Sequence, residues 1–393
     1  MKTYTVSDFP ELAARIRRPF TRNYYAMYST VLGGIVTDPA LMTLPIDDHM
    51  VHRGDGLFET FKCVNGAIYN LEGHLARLAH GEEALFFSLP MSKEQLLDAV
   101  VQTVRAGGHR DCAVRLFLSR GPGSFDVNPY DCPDRQVYIV AYSLKPPFMK
   151  KHPEGATVAT SAIPAKPPLY ATIKNCNYLP NMLMRKEAAD RNVHFVMSYD
   201  TKGHLAEGAT ENMGVVTHAR ELLFPHIEGI LAGTTMVRVM ELAETLVKSG
   251  ELTRVGFADL PLDSVRSAAE LLVVGTTLDV VAVTTYDAKP VGKGRPGPVY
   301  EHLGKLLADD IRTNKAMQTP VFEQPRPYSG SEKHTSPKAD SNTTRPFITT
   351  GAPAHFGVLT APFTGLPNGS VRSQTTRPSA QSTTRLRPGW SSP

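Results

Sequence analysis

The chain is poor in cysteine and has no long apolar run, and each absence narrows what it can be. Four cysteines stand among 393 residues, Cys63, Cys112, Cys132 and Cys176, with no C-x-x-C spacing. They are too sparse for a disulfide framework and too scattered for zinc, so no metal is expected. Free thiols in a reducing compartment, the cytoplasm, are expected instead. No stretch of about 18 apolar residues occurs, so no membrane span is expected. The N-terminal stretch MKTYTVSDFPELAARIRRPF lacks the apolar centre of a secretory signal. Nor is there a basic body. The net charge is +4, but residues 325–393 hold eight Lys/Arg against two acids, which leaves residues 1–324 at −2. That balance gives no support for nucleic-acid binding by the folded part.

What is present is a globular composition, 41% hydrophobic and 20% charged, long enough for two domains. Residues 1–145 read as a small α+β domain. GLFETFKCVNGAIYNL is a hairpin about Asn65-Gly66, and SKEQLLDAVVQTVRAGG is a helix capped by Ser92. CAVRLFLS and RQVYIVAYSL are strands. The proline-bearing stretch 146–155 reads as a linker. Residues 156–318 alternate apolar strands (ATVATSAI, HFVMSY, MGVVTH, ELLFP, ELLVVG, VVAVTTYD) with helices near 178–191 and 235–249, closed by EHLGKLLADDIRTN. Many strands with few helices point to a barrel-like α+β domain rather than a doubly wound sheet. From 319 to 393 Pro, Ser, Thr and Gly dominate and apolar periodicity ends, so a disordered tail is expected.

Chemistry concentrates around Lys174. It ends an apolar, β-branched run and precedes a helical pattern. A lysine held there is a candidate nucleophile, because desolvation frees its lone pair. Glu207 and Glu211 lie with Asn212 in E-G-A-T-E-N, just before a buried strand. Gly233-Thr234-Thr235 opens a helix, whose free amides and hydroxyls favour an anion. A second Gly-Thr-Thr, ending at Thr276 and Thr277, follows the strand ELLVV. His74 and Arg77 stand one helical turn apart, and an arginine suits a phosphate. An amine, a carboxylate, the tyrosine Tyr178 and several phosphate donors form the parts list of a pyridoxal phosphate site.

Five strings carry a resemblance: HRGDGLFETFKCVNGAIYNLEGHLARL, IKNCNYLPNMLMRKEA, GHLAEGATENMGVV, ILAGTTMVRV and ELLVVGTTLDVV. In this order and spacing the chain resembles the class IV (fold type IV) pyridoxal-phosphate enzymes over residues 30–310. That group includes branched-chain and D-amino acid aminotransferases and aminodeoxychorismate lyases. The resemblance implies a small α+β domain, a larger pseudo-barrel α+β domain and a homodimer. It implies pyridoxal 5′-phosphate as cofactor, with Lys174 as the Schiff-base lysine and Glu207 at the pyridine nitrogen. Tyr178 falls beside the cofactor's O3′. Arg77, Thr235, the amide of Thr234 and Thr276 fall at the phosphate.

The activity implied is transamination between an aliphatic or branched-chain amino acid and a 2-oxo acid. Glu59 and Tyr178 resemble the aminotransferases. SRGPGSFDVNPYDCP lacks the R-x-H pair of D-amino acid enzymes. A lyase releasing pyruvate and a D-amino acid aminotransferase are the alternatives. Phe58, Glu59, Arg120 and Thr277 are the candidate substrate residues, with Arg115 and Lys62 as further carboxylate anchors.

Overall fold

Runs of alternating apolar residues build two sheets, and the active-site segments lie where the sheets meet. The computed structural model describes residues 1–322. Six strands come first: β1 (Tyr24–Ser29), β2 (Gly34–Val36), β3 (Gly56–Val64), β4 (Ala67–Tyr69), β5 (Cys112–Ser119) and β6 (Gln136–Tyr142). Eight follow: β7 (Ala156–Thr160), β8 (Phe195–Met197), β9 (Asn212–Val216), β10 (Glu221–Phe224), β11 (Arg254–Phe257), β12 (Glu270–Gly275), β13 (Asp279–Tyr286) and β14 (Lys289–Pro290). A last strand, β15 (Gln318–Pro320), returns to the first sheet.

The first sheet is antiparallel, in the order β15-β4-β3-β5-β6-β1-β2. Its β3–β4 hairpin turns at Asn65 (φ 54°) and Gly66 (φ 85°). Two left-handed residues give the turn whose twist matches the strands. The helix Lys93–Gly107 covers one face. Ser92 and Gln95 cap it reciprocally, and Gly108 ends it at φ 71°. Leu96, Val100 and Val104 pack with Phe61, Val114 and Ile139 of the sheet. Burying each such side chain contributes about 1.5–3 kcal/mol.

The second sheet is mixed, in the order β11-β10-β9-β12-β13-β7-β8, with β14 beside β13. Its two faces are both apolar. Phe224, Leu272 and Val274 meet Met236 and Val239 of the helix Thr234–Lys248 and Leu303 of the helix Pro298–Thr313. Val158, Met213, Val273 and Val281 form a separate core with Leu260 and Val265.

Backbone bonds tie residues 174–176 to β3, and one side-chain bond ties Arg77 to Ala232. Phe58 N donates to Lys174 O at 3.0 Å, and Cys176 N donates to Gly56 O at 2.9 Å. Arg77 Nη1 donates to Ala232 O at 3.0 Å. These bonds set the segment carrying Lys174 against the start of β3.

The α+β class matches the reading from sequence. Three details differ. The short strand β11 was not legible, since RVGF lacks alternation. A four-residue helix, Phe148–Lys151, sits inside the expected linker. The expected tail of 319–393 starts too early: residues 319–320 pair with β4 and Val321 is buried. From residue 323 onward that tail lies outside the described residues. Among the described residues, no helix is long and apolar enough to cross a membrane.

Candidate active site

Lys174 follows the buried Ile173, its carbonyl accepts from Phe58 N of β3, and its side chain is half-buried. Its Nζ lies 4.6 Å from the centre of the Phe58 ring and 3.3 Å from Tyr178 Oη. Burial is the main reason that the Lys174 amine is pushed down to about 7, with the nearby Arg77 charge adding to it. Glu59 and Glu207 pull the other way and are outweighed. At neutral pH a large share of this amine is unprotonated, which an exposed lysine never achieves. Tyr178 opens the helix Leu179–Asp190, its ring edge-on to Phe58 at 4.9 Å.

These side chains line a cavity of about 230 Å³ together with Arg77, Glu207, Thr234, Thr235, Thr276 and Thr277. Glu207 reaches it from the turn before β9 and is held by Leu231 N, which donates to Oε2 at 3.1 Å. The first bond of the helix Thr234–Lys248 runs from Val237 N to Gly233 O at 2.9 Å. The amides of Thr234, Thr235 and Met236 precede it and have no helical acceptor. A side chain at Gly233 would place its Cβ 2.0 Å from Asn212 Oδ1, so any larger residue would have to displace the Asn212 amide, which donates to Leu231 O at 3.0 Å. The Thr234 hydroxyl is occupied, 3.2 Å from His74 Nε2, which leaves its amide for an anion.

Arg77 is fixed from behind. Its Nε and Nη2 donate to the two oxygens of Glu59 at 2.8 and 2.7 Å. With the bond to Ala232 O, three of five guanidinium N–H groups are used, and Nη2 also lies 3.5 Å from His74 Nδ1. Glu59 is fully buried. Burial alone would raise its carboxyl, but Arg77, through charge and hydrogen bonds, and His74 hold it at about 2. Burial also lowers His74, so a neutral ring completes the cluster.

The structure brings together Phe58, Arg77, Lys174, Tyr178, Glu207, Thr234, Thr235, Thr276 and Thr277. It places three residues expected at the substrate elsewhere. Glu59 does not line the cavity, because both its oxygens face Arg77 and His74. Arg120 is turned away, bound to Asp55 at 2.8 and 3.1 Å and to Leu85 O at 2.9 Å, over the ring of Phe87. Lys62 pairs with Asp279 in a part-buried inter-sheet ion pair. Arg115 does line the cavity, as do Thr60, Tyr142 and Asn181, which the sequence did not single out. Thr60 and Arg115 are cross-strand partners, and Thr60 Oγ1 and Arg115 Nε are buried without a protein partner. Strand alternation marks position 60 as inward on the same face as Phe58, the one signal that could have found it.

The family model for amino-transferase class IV matches residues 56–286. The chain belongs to this family. As a class IV aminotransferase it is a pyridoxal-phosphate-dependent enzyme, and the cavity fits that group. A part-neutral buried amine suits an aldehyde, a carboxylate suits a ring nitrogen, and a helix start with an arginine suits a phosphate. This aminotransferase is 38% identical to a chloroplastic D-amino-acid transaminase of Arabidopsis thaliana, over 74% of this chain and 78% of that one. It is 28% identical to a putative branched-chain-amino-acid aminotransferase of Methanocaldococcus jannaschii, over 72% and 96%. Its fold matches that of the T.th. branched-chain amino acid aminotransferase with pyridoxamine 5′-phosphate. The TM-score is 0.70, at 24% identity, over 76% of this chain and 99% of that one.

Proposed function

We propose that this class IV aminotransferase moves an amino group between an aliphatic amino acid and a 2-oxo acid through Lys174. The observation that carries the reading is a buried amine at about 7, in one cavity with a carboxylate and two Gly-Thr-Thr turns. When bound, pyridoxal 5′-phosphate supplies an aldehyde carbon that bonds amines and a ring that takes up the electron pair left by a departing α-proton. Lys174 is assigned to that aldehyde. As a free amine its Nζ would take and return the substrate's α-proton as general base and acid. Glu207 would hold the ring nitrogen, and Tyr178 would hold the phenolic oxygen. Arg77, the Thr235 hydroxyl, the Thr234 amide and Thr276 hold the phosphate, which fixes the ring for proton transfer.

Phe58 and Thr277 border the substrate. Arg115, with its unpartnered Nε, receives the second carboxylate of a dicarboxylic oxo acid such as 2-oxoglutarate, beside Thr60. We assign the working form to a homodimer; exposed apolar side chains at Leu169, Tyr170, Leu179 and Met182 support an interface. A reducing compartment, the cytoplasm, fits the four free cysteines.

D-amino acids are the second reading, favoured by the 38% identical relative named as a D-amino-acid transaminase. A panel of L- and D-amino acids decides between them, read by loss of the bound cofactor's visible band. Aliphatic L-amino acids are expected to bleach it. Bleaching by D-amino acids alone would establish the second reading. No bleaching by either, with pyruvate released from aminodeoxychorismate, would overturn both.

A further inference from the structure

Lys62 is buried on β3, two residues beyond Thr60, on the strand face that carries Phe58 and Thr60 into the cavity. Its Nζ crosses to the second sheet and pairs with the carboxylate of Asp279, the first residue of β13. Asp279 closes the turn that follows β12. Thr276, Thr277 and Leu278 lie between Gly275 and Asp279, which face each other across the two strands, and Leu278 N donates to Gly275 O at 3.1 Å. As the chain re-enters β13, Asp279 adopts the left-handed conformation, at φ 62°. A side chain strains that conformation and glycine does not. The chain places an aspartate there and ties its carboxylate to a lysine of the other sheet. The pair stands at the edge of the site. Thr277 lines the 230 Å³ cavity and also lines an adjoining cavity of about 440 Å³, together with Lys62 and Asp279.

Resting on the reading of Thr276 as a phosphate ligand, we propose that Lys62 is a positioning residue, which through Asp279 holds the second Gly-Thr-Thr turn against the cavity. The two Gly-Thr-Thr turns are supported differently. The first opens the helix Thr234–Lys248 and is braced by Arg77 through Ala232 O. The second is the tip of the β12–β13 hairpin, and a hairpin tip pivots about its last pair, which here is Gly275 and Asp279. The Lys62 bond fixes one end of that pair to β3, the strand whose Phe58 N also bonds Lys174 O. One strand thereby sets both the Lys174 segment and the Thr276 turn. Replacing Lys62 by an apolar residue leaves the Asp279 carboxylate without its partner, on a backbone conformation that its own side chain strains. The turn then relaxes and Thr276 draws back. A glycine at 279 takes the left-handed conformation unaided and restores the turn without the pair.

The test measures the dissociation constants of pyridoxal 5′-phosphate and of pyridoxal from the apo-enzyme, for wild type, Lys62→Met, Lys62→Met with Asp279→Gly, and Thr276→Val. Thermal unfolding of each apo-protein serves as the folding control. If Lys62→Met unfolds, Asp279→Ala is compared with Asp279→Gly instead. Both lack the pair and only glycine keeps the turn, so Asp279→Ala should bind pyridoxal 5′-phosphate about tenfold more weakly than Asp279→Gly, and equal binding overturns the proposal. Lys62→Met should bind pyridoxal 5′-phosphate about tenfold more weakly than wild type, the loss of one bond to a charged group, and pyridoxal within about twofold. Adding Asp279→Gly should bring pyridoxal 5′-phosphate back to within about threefold of wild type. A Lys62→Met enzyme that melts earlier but binds pyridoxal 5′-phosphate as wild type does, that loses both ligands equally, or that Asp279→Gly does not rescue, overturns the proposal while leaving Thr276 in place. A Thr276→Val enzyme that binds pyridoxal 5′-phosphate as wild type does removes the reading of Thr276 and the proposal with it.

Discussion

The guanidinium of Arg77 is gripped by Glu59 through two parallel bonds of 2.8 and 2.7 Å, from an acid with no exposure to water. The arrangement aims the arginine's free edge at the cavity and leaves no slack in its side chain. Glu59 therefore acts on the cavity through Arg77 without lining it.

Glu59→Gln should be costly and the cost should depend on pH. The folded-state value of about 2 lies below the ordinary 4.5. A depressed carboxyl stabilises the fold above about pH 4.5, and that stability is lost as pH falls toward 2. We expect about 3 kcal/mol less stability for Glu59→Gln at pH 7, with the gap to wild type narrowing below pH 4.5. Denaturant unfolding of the apo-protein across pH measures it. An unchanged gap from pH 7 to pH 3 would contradict the ion-pair account.

Lys174 gives a slope of the same sign in an alkaline window. Its value of about 7 lies below the ordinary 10.5, so between these the unfolded chain holds more protons on it than the folded one. Stability should rise with pH through that window, and Lys174→Met should flatten the rise. The same amine should take up pyridoxal 5′-phosphate at a rate that climbs through about pH 7 and then levels. Stopped-flow absorbance reads this directly, and a midpoint near 10 would mean that the amine is not desolvated.

Arg115→Leu should separate acceptors by charge. KM for 2-oxoglutarate should rise about 10- to 100-fold, the loss of a charge-assisted bond, while KM for a monocarboxylic oxo acid stays within twofold. Arg120→Lys is the contrasting variant. It should lower thermal stability, since it breaks the bidentate contact to Asp55, and leave both KM values alone. Equal rises in both KM values for Arg115→Leu would remove it from the substrate.

Much of this was legible in the sequence for a physical reason. The residues that line the cavity lie at element ends marked by local signals: Lys174 before a helical pattern, Thr234 and Thr235 at a helix start, Thr276 after a strand. Partners fixed by tertiary packing were not legible. Glu59 and Arg77 are 18 residues apart, but Lys62 and Asp279 are separated by 217 and Lys166 and Glu207 by 41. No local pattern joins such pairs, and a charged side chain reads the same whether it faces substrate or another charge. This is why Glu59, Arg120 and Lys62 were expected at the substrate and stand in ion pairs instead.

The central claim is that one amine, that of Lys174, bonds the cofactor. The holoenzyme would be treated with borohydride, which reduces the carbon–nitrogen bond between cofactor and lysine, then digested and mapped by mass spectrometry. The account predicts a single phosphopyridoxyl group, on the peptide containing Lys174. A group on any other lysine, Lys166 included, or an enzyme that turns over with none, would contradict it.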